Sequence, residues 1–270
     1  MHETFRAARR IAFFGGSFDP PHRGHLAVAR AARAALGLET VLFAPVGAQP
    51  LKTLGATAGF DDRVAMTRLA IAGEPGFAIS LADAPKPSGD PNFTLETLAR
   101  LRVELGPDCT LFCLLGADSF FSLKNWHRAA EIPFLAPFIV AARPGRRLGE
   151  RISLLEAALP PGLTLEPAPH LLPPPNKSES GLIESNVGVR AFSLANPAGD
   201  RALFYLLPGL NVEISASAIR EAIRTHASPE PPTAAAAPHP LPPAVLEYIV
   251  EHKLYRDRGS PIDVERSHNL

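Results

Sequence analysis

Over the first 145 residues, five short apolar runs alternate with three segments of helical period, and this alternation limits the fold more than any other feature. The runs are Ile11–Phe14, Thr40–Ala44, Ala78–Leu81, Thr110–Leu115 and Phe138–Ala142; the helical segments are His25–Leu36, Asp61–Ala72 and Leu95–Leu105. Unbroken apolar runs suit strands buried on both faces, and a helix after each of the first three runs supplies the crossover that parallel pairing needs. Asp61 or Asp62 and Thr94 are expected as helix N-caps. Gly37, Gly73 and Gly106 stand where the three helices should stop. The expected fold is α/β, a doubly wound parallel sheet with a small C-terminal helical part.

After Arg151 the pattern loosens. Ile152–Leu159 reads as a helix broken by Pro160-Pro161-Gly162, Arg201–Pro208 as a late strand and Ser217–Thr225 as a helix. Residues 167–200 hold Pro-Pro-Pro, Asn-Lys-Ser-Glu-Ser-Gly and Asn-Pro-Ala-Gly without sustained periodicity, so an inserted loop is expected there. One domain over 8–226 would then contain that insert. A Pro/Ala-rich linker would follow at 227–240, an amphipathic closing helix with Pro at its start at 241–255, and a disordered tail at 256–270.

Hydrophobic residues make up 46% of the 270, enough for a substantial core, and basic and acidic residues balance at 27 each. Nothing in that balance recommends nucleic acid or an anionic membrane as partner. No stretch reaches the ~18 uninterrupted apolar residues of a membrane span, and Met-His-Glu-Thr-Phe-Arg lacks the apolar core of a signal peptide. Cys109 and Cys113 lie four apart in one apolar run, sharing a strand face at a spacing too wide for a disulfide. Free thiols in a cytoplasmic protein are expected; homo-oligomerisation stays open.

The first apolar run leads into Gly15-Gly-Ser-Phe-Asp-Pro-Pro-His-Arg-Gly-His25, where a helix begins near His22. Gly15 and Gly16 carry no Cβ and let a ligand approach the backbone. The helix N-terminus offers unpaired N–H groups and a partial positive charge. His22 and His25, three apart, share a helix face, and Gly24 between them leaves room for a phosphate. Two alternatives stand beside a phosphate site: an ordinary strand-turn-helix, and a pair of metal-ligating histidines. Far along the chain, Glu213-Ile-Ser-Ala-Ser-Ala-Ile-Arg220 offers a second helix start. Ser215 suits its N-cap, and the Arg220 guanidinium can reach phosphate with paired donors. An ordinary capped helix with a surface arginine is the competing reading.

The first of these strings closely resembles the T/HxGH signature of the nucleotidylyltransferase superfamily, and the second its Ile-Ser-Ser-Thr-x-Ile-Arg element, with Ala216 and Ser217 in place of the usual Ser and Thr. The double glycine and Phe-Asp-Pro look most like bacterial-type nicotinate-mononucleotide adenylyltransferases. Further matches carry the same resemblance. Pro91-Asn-Phe-Thr-Leu-Glu-Thr-Leu98 is similar to a segment that binds the nicotinate mononucleotide. Gly116-Ala-Asp-Ser-Phe resembles an element at the end of a central strand, Trp126 a tryptophan that stacks on the pyridine, and Arg143-Pro-Gly a strand ending. The closing helix also resembles the family's. Pro45–Lys52 keeps Lys52 but has Leu51 at the family's usual His. The resemblance covers residues 10–145 and 201–255.

It implies a Rossmann-like fold and transfer of an adenylyl group from ATP to nicotinate mononucleotide, releasing pyrophosphate, a step of NAD biosynthesis. His22, His25 and Arg220 would be catalytic. Gly15, Gly16, Ser17, Phe18, Gly116, Asp118, Ser215 and Ser217 would join them in binding ATP. Lys52, Phe93, Thr94, Trp126 and Arg143 would bind the mononucleotide. Mg²⁺ would be held through substrate phosphates, with no protein metal site. The alternatives are pantetheine-phosphate or nicotinamide-mononucleotide adenylyl transfer, and a non-catalytic nucleotide sensor.

Overall fold

The structure, a computed structural model, describes residues 9–50, 55–142, 152–172, 176–177, 183–184, 188–207, 209, 214–225 and 239–256. In chain order it runs β1 (Arg9–Gly16), α1 (Arg23–Leu36), β2 (Thr40–Pro45), α2 (Phe60–Ile71), β3 (Phe77–Ile79), α3 (Thr94–Leu105), β4 (Cys109–Gly116), α4 (Ala117–Ser122), α5 (Ile132–Leu135) and β5 (Phe138–Ala141). Then come α6 (Ile152–Glu156), β6 (Thr164–Pro167), β7 (Asn176–Lys177), β8 (Ile183–Glu184), β9 (Arg190–Ala195), β10 (Arg201–Leu207), α7 (Ala216–Thr225) and α8 (Pro243–Glu251).

Eight strands form one sheet in the order β3-β2-β1-β4-β5-β10-β9-β6, while β7 and β8 pair apart from it. From β3 through β10 every pairing is parallel. The expected doubly wound parallel sheet is therefore present, and β9 and β6 extend one edge in antiparallel register.

Strand side chains alternate between two cores, one on each face of the sheet. Ala12, Phe14, Phe112, Leu114 and Tyr205 pack with Leu26, Ala29, Ala32 and Leu36 of α1, Met66 and Ala70 of α2, and Val245 and Ile249 of α8. Ile11, Phe13, Leu111, Cys113 and Leu115 pack with Leu95, Leu98 and Leu101 of α3, together with Phe120 and Ile132. Each large apolar side chain sealed in this way contributes roughly 1.5–3 kcal/mol. The closing helix shares a core with α1 and α2 and is part of the main body.

Several local expectations are corrected. Residues 190–195, expected within a loop, form β9. Asn196-Pro-Ala-Gly is the turn that folds β9 back on β10: Gly199 takes φ 92°, and its N–H donates to the Asn196 carbonyl at 3.0 Å. The strand is only six residues long, and its stability comes from ladders on both sides rather than from local periodicity. The N-cap of α2 is Gly59, with Asp61 and Asp62 inside its first turn. The N-cap of α3 is Phe93. The closing helix spans Pro243–Glu251, shorter than expected, because Lys253 and Tyr255 take positive φ in the turn that follows. Residues 227–238 of the expected linker and 257–270 of the expected tail lie outside the described residues. Among the described residues no helix is long and apolar enough to cross a membrane.

Candidate active site

The order β3-β2-β1-β4-β5 reverses direction between β1 and β4, which opens a crevice beyond their carboxyl ends. A cavity of about 770 Å³ occupies it. Gly15, Gly16, Ser17 and Phe18 after β1, His22 and His25 on α1, Gly116 and Asp118 after β4, and Ser215, Ser217 and Arg220 at α7 all line it. Phe93, Thr94 and Trp126 line it too. Lys52 and Arg143 lie outside the described residues. The two strings almost 200 residues apart in sequence meet at one place.

The Gly-rich turn is held rigidly. Phe18 takes φ 46°, a left-handed conformation that costs a non-glycine residue of order 1–3 kcal/mol. Its ring is sealed against Phe14, His25 and Phe43 at 5.6, 5.0 and 5.6 Å between centroids, and this packing enforces the backbone. A Cβ at Gly15 would stand 2.8 Å from the Phe13 ring, so packing as well as ligand access demands glycine there. Ser17 donates its hydroxyl to Gln49 Oε1 at 3.0 Å.

His22 is the N-cap of α1. Its ring stacks on that of His25, with centroids 3.7 Å apart and planes 22° from parallel. The His25 Nδ1 accepts the His22 main-chain N–H at 3.1 Å. A neutral imidazole with Nδ1 as acceptor carries its proton on Nε2, which is therefore a donor. The helix N-terminus is less open than the sequence suggests, because the Arg23 N–H donates to the Pro240 carbonyl at 2.9 Å. The Arg23 side chain also holds the neighbouring carbonyl, with Nε donating to His239 at 2.9 Å. These two bonds tie residues 239–240 to α1.

Arg220 points one guanidinium nitrogen at the Asp19 carbonyl at 2.7 Å and another at Ser217 Oγ at 3.3 Å. Ser215 directly precedes α7, and its carbonyl accepts from the Ile219 N–H at 3.0 Å. On the opposite side of the cavity, Phe93 packs against the His127 ring with centroids 4.4 Å apart. Trp126 donates its indole N–H to Ser122 Oγ at 3.2 Å. Thr94 is the first residue of α3, so the N-terminus of that helix meets the cavity wall.

Sequence reasoning missed Asn92 and Asp83, which hold this wall in place. Asn92, buried, accepts the Ala48 N–H at 3.0 Å and donates to the Ala84 carbonyl at 2.9 Å. Asp83, also buried, accepts from the Thr97 hydroxyl at 2.7 Å. Burial pushes its carboxyl above the usual range, while the Thr97 hydrogen bond and the Arg100 and Lys86 charges oppose that rise. A Cβ at Gly47 would overlap the Pro85 backbone, which allows the two loops to touch. Arg63, 2% exposed, donates to the carbonyls of Ala58, Ser17 and Val46 at 3.3, 2.7 and 2.8 Å. A signal for Arg63 was present: it stands with Met66, Thr67 and Ala70 on the buried stripe of α2, an unusual place for a charge.

Cys113 lines the cavity and is fully enclosed, and burial pushes its thiol up to about 12. Both cysteines are free. Among the described residues no three His, Cys, Asp or Glu side chains gather in a way that could hold a metal. The cavity offers imidazoles, a guanidinium and helix N-termini, a donor set for anionic oxygen. One wall is aromatic and suited to a planar ring.

Comparison with known proteins agrees with this geometry. Residues 13–222 match the family model described as cytidylyltransferase-like. A Gloeobacter violaceus protein named "Probable nicotinate-nucleotide adenylyltransferase" is 48% identical over 136 residues, which are 50% of this chain and 65% of that protein. A Laribacter hongkongensis protein of the same name is 38% identical over 252 residues, 92% of this chain and 96% of that one. Among solved structures, Plasmodium falciparum nicotinic acid mononucleotide adenylyltransferase complexed with NaAD superposes with a TM-score of 0.57 at 17% identity, over 92% of this chain and 97% of the other. That likeness is one of fold.

Proposed function

The chain belongs to the cytidylyltransferase-like family, and from that premise we infer that it transfers the adenylyl group of ATP to nicotinate mononucleotide. The products are nicotinate adenine dinucleotide and pyrophosphate, and the reaction is a step of NAD biosynthesis. Relatives that align over most of the chain carry the corresponding name. The single observation that carries the reading is the two-sided cavity: the His22/His25 stack and Arg220 on one wall, Phe93 and Trp126 on the other. One wall suits a triphosphate and the other a pyridine.

The phosphate oxygen of the mononucleotide attacks the α-phosphorus of ATP in line. A P–O bond forms there, the bond to the β-phosphate oxygen breaks, and pyrophosphate leaves with the electron pair. Such a reaction needs positioning and charge stabilisation above all. His22 and His25 donate to α- and β-phosphate oxygens, and Arg220 with the N-terminus of α7 holds the departing pyrophosphate. Gly15, Gly16, Ser17 and Phe18 shape the floor beneath the nucleotide. Ser215 and Ser217 contribute hydroxyls, and Asp118, beyond Gly116, accepts from ribose hydroxyls. Phe93 and Trp126 offer aromatic faces to the pyridine, the N-terminus of α3 at Thr94 receives its carboxylate, and Lys52 and Arg143 would contribute charge to mononucleotide binding. Mg²⁺, carried by the triphosphate and water, would supply further charge neutralisation. The free thiols favour a cytoplasmic setting.

Pyrophosphate release from ATP, measured with nicotinate mononucleotide, nicotinamide mononucleotide and phosphopantetheine in turn, tests the reading. Release is expected to be fastest with nicotinate mononucleotide. Release only with phosphopantetheine, or with none of the three, would overturn it.

A further inference from the structure

Asp19 is 4% exposed and sits inside the Gly-rich turn, where it gathers partners from three distant parts of the chain. Its Oδ2 accepts the Thr57 N–H at 2.7 Å, and its Oδ1 accepts the Ala58 N–H at 3.1 Å. The Tyr255 hydroxyl donates to the same Oδ1 at 2.8 Å. Arg220 donates to the Asp19 main-chain carbonyl while its guanidinium stays 3.9 Å from the carboxylate. Tyr255 reaches this point from the turn after α8. That helix is anchored by Val245 and Ile249 in the core and by the Tyr248 hydroxyl, which donates to Asp62 at 3.0 Å. Tyr255 itself takes φ 64°, a left-handed conformation costly for an aromatic residue, so its placement is over-determined by what surrounds it.

The electrostatics explain what the hydroxyl does. A buried carboxylate must be satisfied by donors, and an arginine within 4 Å is the strongest one available. Three neutral donors already serve Asp19, so Arg220 engages the main-chain carbonyl and Ser217 Oγ and stays in the lining of the cavity. Remove the Tyr255 hydroxyl and Oδ1 keeps one donor. The carboxylate then draws Arg220 inward, away from a phosphate. Burial raises the Tyr255 hydroxyl above its usual range, so it stays protonated and remains a donor.

We propose that Tyr255 is a positioning residue for adenylyl transfer: its hydroxyl saturates the Asp19 carboxylate and thereby leaves Arg220 free to hold the ATP phosphates. The proposal rests on the function inferred above and adds the C-terminal turn to the nucleotide site.

The test is a double-mutant cycle. Tyr255→Phe should lower kcat/KM for ATP by about tenfold, the scale of one misdirected charge-assisted contact, while leaving KM for nicotinate mononucleotide within about twofold. In an Arg220→Ala background the same change should cost nothing further, because the residue through which Tyr255 acts is gone. Tyr248→Phe removes a hydroxyl from α8, the helix before that turn, away from the cavity, and should leave kcat/KM for ATP unchanged. Equal losses from Tyr255→Phe with and without Arg220, or the same loss from Tyr248→Phe, would mean that the closing segment is only structural. Calorimetric titration of the variants with ATP alone forms a separate arm. If the parent protein adenylylates neither mononucleotide, the inferred function fails. The ATP titration still decides the role of Tyr255, through a loss of ATP affinity that depends on Arg220 or its absence.

Discussion

His25 Nδ1 accepts the main-chain N–H of His22 at 3.1 Å while the two rings stack 3.7 Å apart. In the proposed reaction one imidazole would therefore have two separable tasks: Nδ1 accepts at the start of α1, and Nε2–H would donate to substrate. Asn at position 25 offers an oxygen near the Nδ1 position but nothing at Nε2. His25→Asn should keep the melting temperature and lower kcat by ~10²–10³, the cost of removing a transition-state donor, with a modest change in ATP affinity. His25→Ala should show the same kinetic loss plus about 1 kcal/mol of lost capping. Wild-type turnover in folded His25→Asn would remove the histidine from the mechanism.

Arg63 ties together three carbonyls from two connections, Ser17 after β1 and Val46 and Ala58 between β2 and α2. Arg63→Met keeps the volume and strands those carbonyls, so chemical denaturation should show a loss of about 3–5 kcal/mol. Arg63→Lys should recover little, because one ammonium cannot reproduce a planar fork reaching in three directions. Near-complete recovery by lysine would show that charge, not geometry, is what the site uses.

Asp83 makes stability depend on pH. Its carboxyl is raised in the folded protein, chiefly by burial, so the folded state binds its proton more tightly than the unfolded chain does. The stabilisation this brings is fully present below the unfolded pKa of ~3.9. It is lost as pH rises through the raised folded value, with a slope of at most ~1.4 kcal/mol per pH unit. Asp83→Asn should remove this dependence, gaining on the wild type as pH climbs from about 4. Parallel stability curves for the two proteins across that window would contradict the assignment.

The cavity should also discriminate between acid and amide. A carboxylate at the N-terminus of α3 would accept from the N–H groups of its first turn, whereas a carboxamide would oppose its own NH₂ to an N–H. Nicotinate mononucleotide should be preferred by at least about tenfold in kcat/KM, or ~1.4 kcal/mol. Side-by-side kinetics with the two mononucleotides measure the ratio. Equal efficiency would mean that the pocket accepts both.

The strand-turn-helix around Gly15–His25 was legible because its signals are local. An apolar run, two glycines and a histidine pair at helical spacing need no distant partner to be recognised. The same holds for α1, whose buried Leu26, Ala29, Ala32 and Leu36 follow the helical period. β9 was not legible. Its residues Arg190–Ala195 become a strand only because β10 and β6 flank them, and a six-residue segment between turn signals carries too little period to announce this.

Sequence alone determined the alternation of strands and helices along the chain and the glycine turn that leads into a helical histidine pair, since each is written in neighbouring residues through period, backbone freedom or side-chain type. The aromatic residues Phe93 and Trp126 were implied by the family resemblance. Tertiary structure decided which groups meet. Asp19 collects the N–H groups of Thr57 and Ala58, the Tyr255 hydroxyl and the Arg220 guanidinium, and Arg63 joins the β1–α1 and β2–α2 connections from inside the core. Such contacts arise because buried charges must find donors or acceptors wherever the folded chain supplies them. Sequence separation places no limit on where those partners come from, so no local pattern could have disclosed them.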